Sequence, residues 1–209
     1  MADLPEIADP LRRLALAYAP ASVRRAMAAL WALDEQLGAA LVTAREPMLA
    51  ELRLAWWREA LSTLGQGHRP ADPLLRILSE TACDPAELAR LPDGWIALLG
   101  ELPLATRALD DHARERGSVV FRQSARLLGW DGDLPDAAGA GWALADLAKR
   151  ISDPQTAAAA QIQARSLLAS RSSLPRPLAI LTANARMECW GRAGLRRFAA
   201  ISFAILARR

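Results

Sequence analysis

Lysine is almost missing from this sequence: Lys149 is the only one among 26 basic residues, and the rest are arginine. Arginine supplies planar forks suited to phosphate or carboxylate. A net charge of +3 spread along the chain is nevertheless too weak to argue for nucleic acid, and no nucleic-acid partner is expected. There are two cysteines, Cys83 and Cys189, far apart and in no ligand spacing, which excludes a disulfide framework and a cysteine metal centre. They read as buried, reduced thiols. One tyrosine, three phenylalanines and few β-branched residues exclude an ordinary sheet protein. No apolar run reaches the ~18 residues that a membrane span needs. The opening MADLPEIADP is acidic and polar, unlike a secretory signal, so a cytoplasmic location is expected. Glycines are isolated, so no phosphate-binding loop, dinucleotide fingerprint or nucleophile elbow is present.

What is abundant points one way. Alanine, leucine and arginine are strong helix formers, and 52% of the chain is hydrophobic. With 209 residues the chain can bury a core, and without a linker or repeat it reads as one domain, 1–209. Proline and glycine cut it into helical lengths. Asp9-Pro10 opens a helix to about Tyr18, and Pro20 restarts the chain for a helix to about Ala44. Glu46-Pro47 opens a third, to the glycines at 65 and 67. Shorter helices follow from Asp72 and from Asp84-Pro85, the latter ending before Pro92-Asp93-Gly94. A long uninterrupted stretch runs from Leu102 to about Gly129. Further helices cover Ala137 to Ile151 and Asp153-Pro154 to about Ser170, and a last pair is broken at Gly191 or Gly194. An all-α bundle with at least seven helices is the expectation.

In the third helix Leu49, Leu52, Trp56, Ala60 and Leu64 recur at helical spacing, and Arg53, Trp57 and Leu61 form an adjacent stripe. The first stripe is expected to face the core, with Trp56 buried and worth roughly 3–5 kcal/mol against alanine.

Two stretches are more specific. One is Ala29-Leu30-Trp31-Ala32-Leu33 followed by the run from Glu46 to Leu61, EPMLAELRLAWWREAL. The other is Gly117 to Gly129 followed by Gly141-Trp142-Ala143-Leu144-Ala145-Asp146-Leu147-Ala148-Lys149-Arg150. In order and spacing they resemble the squalene/phytoene synthase family, and above all its divergent branch, that of the mitochondrial complex I assembly factor and its bacterial relatives. The resemblance covers roughly residues 9 to 190. It implies a shortened, single-domain helical bundle of the isoprenoid synthase type.

For active members it implies Mg²⁺-dependent transfer between prenyl diphosphates, with the metal held by two aspartate motifs on facing helices. Ionising a diphosphate needs hard cations on its oxygens, and carboxylates four apart share a helix face. Here the first motif aligns near Gly38 and Val42, which bind no metal, and the second near Ala148 and Ser152. The resemblance thus implies a degenerate, non-catalytic member, a pseudoenzyme without a cofactor. It would bind an isoprenoid or lipid, or serve as a protein assembly partner. A shifted carboxylate set would be Asp34, Glu35 and Asp146, with Mg²⁺ if active. Arg53, Trp57 and Arg150 are the ligand-binding candidates. A third possibility is a helical interaction module with a filled core.

Each candidate has a plainer reading. Asp34 and Glu35 can sit on a solvated helix face, Arg53 and Arg58 can pair with Glu46, Glu51 or Glu59, and the two tryptophans can be core. In Asp110-Asp111-His112 the adjacent aspartates cannot share a face, and a site there is not expected. The segment from Trp190 to Arg209 carries five arginines and no acid, with Leu195, Phe198, Ser202, Ile205 and Leu206 on one face. Such a helix closes the bundle or makes weak peripheral contact with an anionic membrane.

Overall fold

The computed structural model describes residues 4–44, 46–66 and 70–206, with 192–206 in backbone only. Among the described residues there is no strand. The helices are α1 Pro10–Ala17, α2 Ala21–Thr43, α3 Pro47–Ser62, α4 Pro73–Ser79, α5 Pro85–Leu88, α6 Leu91–Ile96, α7 Thr106–His112, α8 Val119–Leu127, α9 Asp136–Arg150, α10 Pro154–Leu168 and α11 Arg176–Leu206. Four starts share one local device, an aspartate before a first-turn proline. Asp9, Asp72, Asp84 and Asp153 each accept hydrogen bonds from backbone N–H groups of the turn they open. Such a cap contributes about 1 kcal/mol, and proline gives up only an N–H that would have no helical partner there.

Two helices are buried on every side. In α2 the run from Met27 to Asp34 is buried without a break, because α1, α3, α4, α6 and α8 all pack on it. In α9 the same holds from Ala138 to Leu147, enclosed by α10, α11, α8 and the segment before α8. The first run ends in Asp34, and the second carries Asp146 as its last residue but one. One continuous apolar core extends from Ile7 to Cys189.

Between α7 and α8 the expected long helix is widened into a π-helical turn, Ala113–Ser118. Its Gly117 lies against Gly139 of α9, and a Cβ on Gly117 would sit 2.3 Å from the Gly139 carbonyl oxygen. Only paired glycines allow two backbones so close. The expected break at Pro92-Asp93-Gly94 is instead the body of α6, with proline in its first turn.

In α3 the buried residues are Ala50, Leu54, Trp57 and Leu61. The stripe expected in the core faces outward over most of its length: Leu49, Leu52 and Trp56 are 45, 60 and 55% exposed, while Ala60 is half-buried and only Leu64, beyond the helix, is buried. Helix α3 rests on α2, α5 and α6 by the face Ala50, Leu54, Trp57 and Leu61, which shares Trp57 and Leu61 with the second expected stripe but leaves Arg53 exposed. The Trp56 expectation is therefore corrected. Cys83 and Cys189 are free and buried, and burial raises both thiol pKa values. Helix α11 bends at Gly191, whose φ is 65°. The side chains of Leu195, Phe198, Ser202, Ile205 and Leu206 lie outside the described residues, and with them the choice between bundle closure and membrane contact. No described helix is long and apolar enough to cross a membrane.

Candidate functional site

Where α1, α2, α6, α9 and the π turn meet, the core turns polar. Asp34 is fully buried, which corrects the solvated-face reading. Arg12 of α1 donates from Nη2 to its Oδ2 at 2.5 Å. Arg116 donates from Nε to Oδ1 at 3.0 Å and from Nη2 to Oδ2 at 3.1 Å. The Trp95 indole N–H donates to Oδ1 at 3.0 Å. Arg116 Nη2 also reaches Asp146 Oδ2 at 2.8 Å, and Arg150 donates from Nε to Asp146 Oδ1 at 2.8 Å. Arg150 then touches Asp9 Oδ2 at 3.2 Å, which ties the α1 cap into the same chain of charges.

Aromatic faces complete the cage. The Arg116 guanidinium lies 4.2 Å from the Trp95 ring centroid and 4.9 Å from that of Trp142. Arg12 lies 5.1 Å from the Trp142 ring centroid. Ring faces attract cations, more so when water is excluded. His112 donates from Nδ1 to the Gly94 carbonyl at 2.6 Å.

These contacts set the protonation states. Burial alone would raise the Asp34 pKa, but Arg116 and Arg12 outweigh it and hold the carboxyl at about 2. Asp146 follows the same pattern: burial opposes the charge, while Arg116 and Arg150 keep it well below the usual carboxylate range. Arg116 is buried against its charge, yet Asp34 and Asp146 raise its pKa. For His112, burial and then Arg116 lower the pKa to about 4, so it is neutral at physiological pH.

The other candidates fall in two places. Glu35 accepts from the backbone N–H groups of Ala8 at 2.6 Å and Asp9 at 3.1 Å, fastening the segment before α1. Arg53 and Trp57 line an open groove of about 480 Å³ between α2 and α3, with Gln36, Ala40, Leu49, Leu52 and Trp56. Arg53 donates to Thr43 Oγ1 at 3.2 Å, whereas Arg58 pairs with Asp93 rather than with a glutamate of its own helix. Arg150, itself exposed, caps the buried network from its solvent end through Asp146, apart from that groove.

The residues present do not fit Mg²⁺. A Cβ on Gly38 would lie 2.8 Å from the Trp95 ring, so no aspartate side chain has room there. Val42 is 87% exposed, and Ser152 is exposed as well. Both oxygens of Asp34 and both of Asp146 are engaged by arginine. A metal would have to expel guanidinium groups from a closed interior, which leaves buried charges without partners. Among the described residues, no three His, Cys, Asp or Glu side chains form a metal set.

Arg12, Trp95, His112 and Arg116 were not among the sequence candidates for this centre. A signal existed for two of them. Leu109, His112, Ala113, Arg116 and Val120 recur at helical spacing, so a cation and an imidazole interrupt an otherwise apolar stripe. Buried charge of that kind marks either a structural network or a site.

The all-α architecture agrees with an isoprenoid-synthase-type fold. The squalene/phytoene synthase family model matches residues 9–163, and the chain belongs to that family. No curated protein and no solved structure matches it.

Proposed function

We propose that this chain is a non-catalytic member of its family that works as a protein assembly partner through its outer surface. The carrying observation is the interior. Where diphosphate chemistry needs free carboxylates, water-filled space and a metal, Asp34 and Asp146 are neutralised by Arg12, Arg116 and Arg150. Trp95 fills the space over Gly38. A carboxylate with both oxygens held by cations is a poor base and a poor metal ligand. The network reads as fold-defining. A second reading, an isoprenoid or lipid site, is supported by the α2–α3 groove, which Arg53 and Trp57 of α3 both line.

The test is incubation with Mg²⁺ and farnesyl or geranylgeranyl diphosphate, following both condensation product and released diphosphate. Neither is expected above a protein-free control. Turnover that disappears in Asp34→Asn or Asp146→Asn would overturn the proposal and restore the shifted carboxylate set.

A further inference from the structure

Arg53 is a cation on an apolar wall. Among the described residues it is the one charged side chain lining the groove of about 480 Å³ between α2 and α3. Its hydrogen bond goes to Thr43 Oγ1 at 3.2 Å, and no carboxylate pairs with it among the described residues. The Thr43 hydroxyl gives its own proton to the Ala39 carbonyl at 2.8 Å, so towards Arg53 it only accepts. That contact fixes the guanidinium in place but leaves its charge whole, and most of its N–H donors remain for a guest.

Around this cation the surface is apolar. Leu49, Leu52 and Trp56 stand exposed at i, i+3 and i+7 of α3, and Ala39 and Ala40 are the small residues that α2 supplies. The Trp56 ring meets the Trp57 ring edge-on, with centroids 4.9 Å apart, and keeps much of its indole surface open. A concave apolar surface with one placed polar group is the composition of a small-ligand site, and the volume lies within the ~300–1,000 Å³ usual for one.

The charge fixes the head of the guest. One guanidinium balances one negative charge, and its fork meets a carboxylate with two parallel hydrogen bonds. A diphosphate carries several charges, and here it would meet a single cation beside three exposed acids, Glu46 at the start of α3 and Glu51 and Glu59 along it. A groove of this volume takes one chain and not the two of a phospholipid. We infer that the α2–α3 groove binds a single-chain aliphatic carboxylate, a fatty acid, with its head on Arg53 and its tail over Leu49, Leu52 and Trp56. This rests on the reading of the groove as a lipid site, and names the class of lipid.

Isothermal titration calorimetry of the full chain with dodecanoate, kept below its micelle-forming concentration, tests it. Saturable binding is expected, weaker by about tenfold or more in Arg53→Gln, because a charge-assisted pair is lost. Arg53→Lys should recover part of the affinity, since it keeps the charge without the fork. Dodecyltrimethylammonium, with the same tail and the opposite charge, should bind the wild type more weakly than dodecanoate does. Leu52→Glu with Trp56→Glu should abolish binding. These side chains are exposed, so the circular dichroism spectrum of each variant should match that of the wild type.

A dodecanoate affinity unchanged in Arg53→Gln, or equal binding of the two head groups, overturns the inference and leaves a lipid groove that does not read charge. Farnesyl diphosphate binding more tightly than dodecanoate, and lost in Arg53→Gln, overturns it as well and gives the groove to an isoprenoid. If none of the three amphiphiles binds, the inference and the lipid reading fail together. Binding to phosphatidylcholine vesicles that is lost in Leu52→Glu with Trp56→Glu, by a protein that ignores dodecanoate, overturns it in favour of a membrane contact. None of these outcomes bears on the turnover assay, which tests the absence of catalysis separately.

Discussion

The His112 carbonyl partner, Gly94, can only accept a hydrogen bond, so Nδ1 carries the proton and Nε2 is left to accept from Arg116 Nη1, 3.3 Å away. A second proton on the ring would set an N–H against a guanidinium in a buried site. The pKa therefore falls from 6.5 to about 4, first through burial and then through Arg116. The sign follows. Between these values the unfolded chain binds a proton that the folded chain refuses, so stability is full above pH 6.5 and declines as pH falls towards 4. That shift corresponds to a loss on the order of 3 kcal/mol. Asp34 adds a second loss of the same sign in a lower window, as pH falls from 3.8 towards about 2. Urea midpoints measured from pH 7.5 down to 4.5 should drop steadily in the wild type. In His112→Gln, which cannot titrate, the slope across this range should flatten. An equal slope in both would mean that His112 is not the group responsible.

Helix α3 shows what periodicity can and cannot give. The expected stripe 49-52-56 and the face that is buried, 50-54-57-61, are both apolar at helical spacing, and each would satisfy a hydrophobic face. Only the neighbours choose: α5 and α6 meet the side of Leu54 and Trp57, and burying that side leaves Trp56 outside. The energetic consequence is opposite to the rank by size. Leu54→Ala removes a side chain with no exposure and should cost about 2–5 kcal/mol. Trp56→Ala removes a larger but half-exposed ring and should cost less than about 1 kcal/mol, in line with surface changes. Chemical denaturation of the two variants decides the order. A Trp56 cost above that of Leu54 would place the ring in a packed contact.

Over the whole molecule, the core and the charged centre are one body. Arg12 comes from the first helix, Asp34 from the second, Arg116 from the π turn and Asp146 from α9, so no part can open without parting buried charges. Breaking one such pair typically costs roughly 3–5 kcal/mol, a large share of a domain's stability. Unfolding should accordingly be a single transition. The buried indoles of Trp31, Trp57, Trp95 and Trp142 are spread across the fold, so tryptophan fluorescence reports on all of it. Its urea curve should coincide with that of far-ultraviolet circular dichroism. Two separated midpoints would show independently folding parts and contradict the expectation of one domain over 1–209.

The sequence by itself determined most of the helices, though not α6 or the π turn. Aspartate and proline at helix starts, glycine at ends and apolar spacing between them are local chemistry, and local chemistry is written in consecutive residues. Family membership was legible for a similar reason, since the EPMLAELRLAWWREAL run and the stretch after Gly141 carry it in order and spacing. The emptiness of Gly38 and Val42 as metal positions could also be read directly, because neither side chain offers an oxygen. The interior was decided only in three dimensions. Asp34 and Asp146 look like candidate ligands until Arg12 and Arg116, 22 and 30 residues away, close on them. Ion pairs between distant elements depend on which helix faces which, and that was set by the Gly117–Gly139 approach and by Trp95 lying over Gly38. Close packing is a property of neighbours in space, and these neighbours are not neighbours in the chain.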